Sequence, residues 1–177
     1  ATPADITTAI NGIEIGGRNL LRNSLVVTDR TYPSSGYVDM LNRVSTIPLI
    51  EDEYVLSFEA KSTISGDRIN CYFYNPNTTT RGESSLGGIT TYVDGNISLV
   101  ITNEWKKYWI KYTQSDTTTV KYVIVGRLFA GAGSGTVSIR NVQLEAGNKA
   151  TDWTPAPEDV QAEIDNAAAI AADAQAK

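Results

Sequence analysis

Histidine is absent from the sequence, and cysteine occurs once, at Cys71. The first absence removes the side chain that most often serves as general base or metal ligand. The second excludes an intrachain disulfide and a thiolate metal cluster. Together they weigh heavily against an enzyme. No run of about 18 apolar residues is present, so no transmembrane helix is expected. Asp5, Thr7 and Thr8 interrupt any apolar stretch at the start, which argues against a secretion signal there. Fifteen basic residues against twenty acidic ones give a net charge of −5, without the clustered basic excess of a nucleic-acid binder. Lys106, Lys107 and Lys111 do lie close together, and read as the solvated face of a strand.

Catalytic motifs are also missing. There is no Gly-x-Ser-x-Gly elbow, no phosphate-cradling loop with its lysine and no metal-ligand pattern. "GAGSG" at 131–135 is glycine-rich but lacks a following lysine, and reads as a hairpin loop between strands. Glu59 is the carboxylate best placed for a glycosidase pair. Its ordinary partner across a sheet would be Lys61 or Arg140. Glu51, Asp52 and Glu53 read as a solvated turn.

What is present is a β pattern. The 177 residues suffice for one full-sized core with some length left for an appendage. The ends fall in mid-pattern, which predicts a segment of a longer chain. In residues 1–17, Ile6, Ile10 and Ile13 have helical spacing, and Gly16 and Gly17 form a hinge, so a linker or the end of an upstream helix is expected. Over residues 18–156, segments rich in Val, Ile, Thr and Tyr alternate with Gly, Asn, Asp, Ser and Pro clusters. Tyr54, Leu56, Phe58 and Ala60 oppose Val55, Ser57, Glu59 and Lys61. Ile69, Cys71 and Phe73 oppose Asn70, Tyr72 and Tyr74, and Tyr108, Ile110 and Tyr112 oppose Trp109 and Lys111. "VKYVIVGRLF" is apolar on both faces, as a central strand is. Such alternation with little helix between strands predicts an all-β antiparallel sandwich.

Residues 157–177 differ in kind. They are dominated by alanine, with Glu158 and Asp159 in a first helical turn, where the helix dipole favours negative charge. Val160, Ile164, Ala167, Ala171 and Ala174 recur at spacings of 4, 3, 4 and 3, the seam of a coiled coil. A narrow stripe of small residues gains little from packing on a globular domain, so self-association through this helix, the start of a stalk, is expected. A solvated linker helix is the alternative.

"GGRNLLRNS", "YVLSFEAKS", "NEWKKYWIKYT" and above all "SIRNVQLEAGNKATDWTPAPEDV" resemble the carbohydrate-binding-like jelly-roll modules of phage and prophage tail proteins. The resemblance covers about residues 16–160. It implies a galactose-binding-type jelly-roll β-sandwich, carried on a trimeric fibre or baseplate component of the virion tail. There it would be extracellular and would meet cell-surface polysaccharide and other virion tail proteins. Modules of this wider type often hold a structural calcium between first and last strands. Asn23, Asn141 and Glu145 would be its oxygen ligands, but an asparagine at 141 weakens the set and no metal is assigned.

Glycan recognition needs an aromatic ring on a non-core face, with polar neighbours for the hydroxyls. Tyr72 and Tyr74 meet this beside Asn70; Trp109, Tyr37 and Arg127 add further candidates, with Asp39 and Tyr92 at a rim. Trp105 and Trp153 are expected to serve the fold, the former among core partners and the latter pinning the last strand to the helix. A purely structural spacer of a tail fibre or baseplate is the competing reading, and an accessory domain of a polysaccharide-degrading chain is a third.

Overall fold

The computed structural model describes residues 2–3, 17–41, 53–74, 80–87, 89–92, 96–113 and 122–176. The helical spacing of Ile6, Ile10 and Ile13 falls outside the described residues, as do Glu51 and Asp52. Ten strands and a long helix are seen among the described residues. They are β1 (Thr28–Thr31), β2 (Tyr37–Asp39), β3 (Glu53–Ser62), β4 (Arg68–Tyr74), β5 (Thr80–Ser84), β6 (Ile89–Tyr92), β7 (Asn96–Val100), β8 (Lys106–Thr113), β9 (Tyr122–Phe129), β10 (Thr136–Ala146) and α1 (Pro157–Gln175). Six strands form one sheet in the order β1-β10-β3-β8-β5-β6, and four form the other in the order β2-β9-β4-β7. All pairings are antiparallel. The result is a jelly-roll β-sandwich.

The alternation read from the sequence places the core. Tyr54, Leu56, Phe58 and Ala60 of β3 face inward with Tyr108, Ile110 and Tyr112 of β8, against Ile69, Cys71 and Phe73 of β4. Phe73 joins the sheets, with its ring 5.4 Å from that of Tyr54 and 4.9 Å from that of Tyr112. Aromatic pairs at such separations add to the stabilisation that burial itself provides.

Two bulges change which residues face the core. In β10 the register slips between Arg140 and Gln143, where Asn141 has φ of 52°. Before it Val137 and Ile139 point inward; after it Val142 and Leu144 do. Gln143 and Glu145 are thereby turned to the outer face, although both are completely buried. In β9 Gly126, with φ of 71°, makes the matching slip beside β4. A side chain there would strike Met40, whose Cγ would lie 2.7 Å from an added Cβ.

The segments that enter and leave the sandwich are tied together by Asn19, which is fully buried. Its carboxamide donates to the Ser24 hydroxyl at 2.9 Å, the Val142 carbonyl at 3.3 Å and the Thr154 carbonyl at 3.0 Å. Its oxygen accepts the Leu21 N–H at 3.0 Å and the Leu144 N–H at 3.2 Å. The amino-terminal segment, β10 and the segment after β10 are therefore held by one side chain. A little further on, Arg18 meets Glu158 at 2.9 Å, and the Asn23 N–H meets Asp159 at 2.7 Å. These contacts latch the first turn of α1 to the same corner. None of the side chains of α1 is buried.

The GAGSG loop wraps a buried carboxylate. Asp67 accepts the Ser134 N–H at 3.1 Å, the Gly135 N–H at 2.9 Å and the Ser62 hydroxyl at 2.6 Å. Only glycine fits at 135, since an added Cβ would sit 2.5 Å from Ser62 Oγ and 2.6 Å from Asp67 Oδ2.

Two outcomes are expected on urea unfolding. Asn19→Ala strands several buried backbone groups and lowers stability by at least about 2 kcal/mol. Gly135→Ala crowds the Asp67 carboxylate and lowers it by about 1–3 kcal/mol.

Candidate functional site

Four of the six residues expected to touch a ligand come together on the outer face of the four-stranded sheet. β9 is central there and pairs Arg127 with Asp39 on one side and with Asn70 on the other. Tyr37 precedes Asp39 by two residues on β2, and Tyr72 follows Asn70 by two on β4, so all five share a face. The Arg127 guanidinium grips Asp39 through two parallel bonds, Nε to Oδ1 at 2.6 Å and Nη2 to Oδ2 at 2.9 Å. Those hydrogen bonds hold Arg127 more firmly protonated than an isolated guanidinium, against the opposing effect of burial. The same group lies 3.7 Å from the ring centre of Tyr37 and 5.2 Å from that of Tyr72. Asn70 donates to Asn96 of β7 at 2.9 Å.

Exposure divides this cluster. Asn70, Tyr72 and Arg127 are buried, whereas Tyr37 is 48% exposed. The ring of Phe129 meets Tyr37 edge-on at 6.1 Å. The exposed phenol is therefore steadied by a cation and by a second ring, and the buried residues form its support. Tyr74 lies on β4 and Tyr92 on β6, but their side chains fall outside the described residues.

Trp109 does not join this group. It projects from β8 on the outer face of the other sheet, where it lines a hollow of about 530 Å³. Tryptophan at 105, expected among core partners, also stands on that face. The Arg140 guanidinium carbon lies 4.1 Å from its ring centre and Lys61 Nζ lies 5.1 Å away. Tyr108 fills the core position instead, and its hydroxyl accepts the Thr102 N–H at 3.2 Å. Glu59 pairs with Arg140, one of the two partners expected from the sequence, and takes a further bond from Asn141 at 3.3 Å.

The "GNKATDWTP" stretch folds back over this outer face. Thr151 donates its N–H to Glu145 at 3.0 Å and its hydroxyl to the other carboxylate oxygen, while Gln143 donates to that hydroxyl at 2.9 Å. Gln143 in turn accepts the Thr154 N–H at 2.8 Å. The Trp153 indole N–H reaches Ser24 and the Val142 carbonyl, both at 3.2 Å. Trp153 thus pins this segment to β10 and the amino-terminal segment. Of the suggested calcium ligands, Glu145 accepts from the N–H and hydroxyl of Thr151, and Asn141 donates its amide to Glu59. Among the described residues no group of three or more His, Cys, Asp or Glu side chains could hold a metal. No helix among them is long and apolar enough to cross a membrane.

Asn19 and Gln143 are the residues that sequence reasoning missed. Their signal was faint: nothing sets them apart from the other polar residues of "GGRNLLRNS" and "IRNVQLEAG", and the partners of Asn19 lie up to 135 residues away.

No family model matches the chain, and no curated protein does. Several solved structures resemble it in strand layout. BiXyn10A CBM1, in its apo form, aligns at 13% identity with a TM-score of 0.43, over 75% of this chain and 89% of that one. The tripod of the bacteriophage Tuc2009 baseplate (BppUct-A-L) aligns at 16% identity with a TM-score of 0.39, over 83% of this chain and 61% of that one. A family 30 carbohydrate-binding module aligns at 14% identity with a TM-score of 0.39, over 81% of this chain and 78% of that one. At such identities function is argued from this chain's own residues.

Burial pushes the Cys71 thiol up to about 12, with a hydrogen bond to the Gly126 backbone acting the other way. The thiolate is the reactive form. Cys71 is expected to stay unmodified by an aromatic disulfide reagent at pH 8 in the folded protein and to react completely in urea, as read by absorbance.

Proposed function

We propose that this chain is a non-catalytic glycan-recognition module of a phage or prophage tail protein, and that it contributes to attachment at the host cell surface. The observation that carries this reading is the Tyr37 platform. A sugar ring offers an apolar C–H face, which a fixed and exposed phenol can stack against. The Arg127–Asp39 pair beneath it removes the freedom the ring would otherwise lose on binding, and pre-organisation of this kind favours affinity. The resemblance of the sequence to tail-protein modules supports the setting.

The helix supports self-association. Val160 and Ile164 of its seam are exposed, with Ile164 56% accessible. Of the helix's acidic residues, Glu158, Asp159, Asp165 and Asp173 fall at heptad positions away from that seam, so copies meeting along it would keep these charges in water. A trimer of weak sites on one stalk would bind a repeating polysaccharide more tightly than a single site, without new contacts.

A spacer that contacts other virion subunits is the second reading. It is favoured by Leu25, Val26 and Val27, three successive aliphatic residues left exposed just after the segment that latches α1.

Binding to host cell-wall polysaccharides on a glycan array separates the two. The glycan reading expects a bound polysaccharide whose affinity falls about tenfold in Tyr37→Ala, a loss of about 1.4 kcal/mol. Ile164→Asp should weaken binding to the immobilised polymer while leaving the affinity for a short oligosaccharide unchanged. Silence across the array would favour the spacer.

A further inference from the structure

The outer face of the six-stranded sheet, on the other side of the sandwich from Tyr37, carries the hollow at Trp109. The neighbours of that residue explain why it is open. Ser57 stands across from Trp109 on β3, and Ser85, just beyond β5, exchanges bonds with its backbone. Neither serine is large enough to cover an indole, and the tryptophan is only partly buried. The segment after β10 supplies the far wall through Asn148 and Ala150. The space of about 530 Å³ is within the usual range of small-ligand sites.

The charged groups beside the ring come in pairs. Lys111, two residues along β8 and so on the same face, lies 3.5 Å from Glu83 of β5 and 3.9 Å from Glu53 of β3. Lys107, two residues the other way, lies 3.7 Å from Asp152 and donates to the Thr151 carbonyl at 2.6 Å. Each ammonium is answered by a carboxylate, and an anionic ligand would meet those same carboxylates. All three ion pairs are nevertheless longer than the roughly 2.7–2.9 Å of a charge-assisted hydrogen bond. They balance charge without closing a hydrogen bond between the two groups. A hydroxyl is donor and acceptor at once, so it can accept from the ammonium while it donates to the carboxylate. A neutral sugar offers such hydroxyls at the edge of a ring whose C–H face suits an indole.

We propose that the hollow is a second saccharide site, separate from the Tyr37 platform, and that it takes a neutral sugar. The C–H face of the sugar lies on Trp109, and one hydroxyl sits between the Lys111 ammonium and the Glu83 carboxylate, both of which line the hollow. The site extends the glycan reading to a second surface but does not rest on Tyr37, because the two stand on opposite sheets.

The test is a calorimetric titration of the 177-residue chain carrying Tyr37→Ala, so that the platform on the other sheet takes no part. The probes are cellotriose, maltotriose and chitotriose, all neutral, with trigalacturonate as the anionic control. At least one neutral sugar should bind, and its affinity should change less than about twofold as salt is raised, since it brings no charge to be screened. Trigalacturonate should bind more weakly. Trp109→Leu should abolish the binding with the fold intact by circular dichroism. Glu83→Ala, a change on the outer face that leaves the core untouched, should weaken it about tenfold. The proposal is overturned if none of the three neutral sugars binds, if trigalacturonate binds as tightly as they do, or if Glu83→Ala has no effect. A neutral sugar that binds the unaltered chain but not Tyr37→Ala would uphold the platform and overturn the second site. Equal binding to both chains, lost in Trp109→Leu, would do the reverse.

Discussion

The buried carboxamide of Asn19 is the interaction on which the rest of the structure depends. Three stretches of chain, the first more than 120 residues before the other two, must lie side by side at one corner of the sandwich. Each brings backbone groups that lose water on burial and need partners. One asparagine satisfies groups on all three, because its amide carries both donors and an acceptor. With that corner closed, β10 is held in the middle of its sheet, and the segment after it can return across the outer face.

That return explains how the sandwich comes to have two chemically different outer surfaces. On the four-stranded sheet a bidentate ion pair and two tyrosines build a supported aromatic platform. On the six-stranded sheet the covering segment seals Gln143 and Glu145 beneath Thr151 and leaves Trp109 open at its edge. The bulge at Asn141 makes this possible. Without the slip, Gln143 and Glu145 would point into the apolar core, away from Thr151 and Thr154.

Much of the fold was legible in the sequence, and the reasons are particular. β3, β4 and β8 alternate strictly, so period two alone assigns their faces. β9 is apolar on both faces, and it is indeed flanked on both sides within its sheet. The alanine-rich tail has a composition that only a helix uses well. The parity change in β10 was not legible, because the left-handed conformation of Asn141 leaves no trace in the hydrophobic pattern. Nor was the role of Asn19, whose partners lie up to 135 residues away. The candidate site was legible in its members but not in its grouping. Alternation showed that Tyr72 and Trp109 leave the core, yet sheet assignment, which puts them on opposite sides, depends on strand order. Burial of Tyr72 and exposure of Tyr37 likewise come from packing that alternation does not describe.

The latch at Arg18, Asn23, Glu158 and Asp159 has a mechanical consequence. The chain comes into the sandwich and goes out of it at one corner. Tension drawn along the polypeptide through both points would therefore load the few bonds at that corner and bypass the sheets. The sandwich would hang beside the line of force as a pendant, able to swing towards a surface while its own strands stay unstressed.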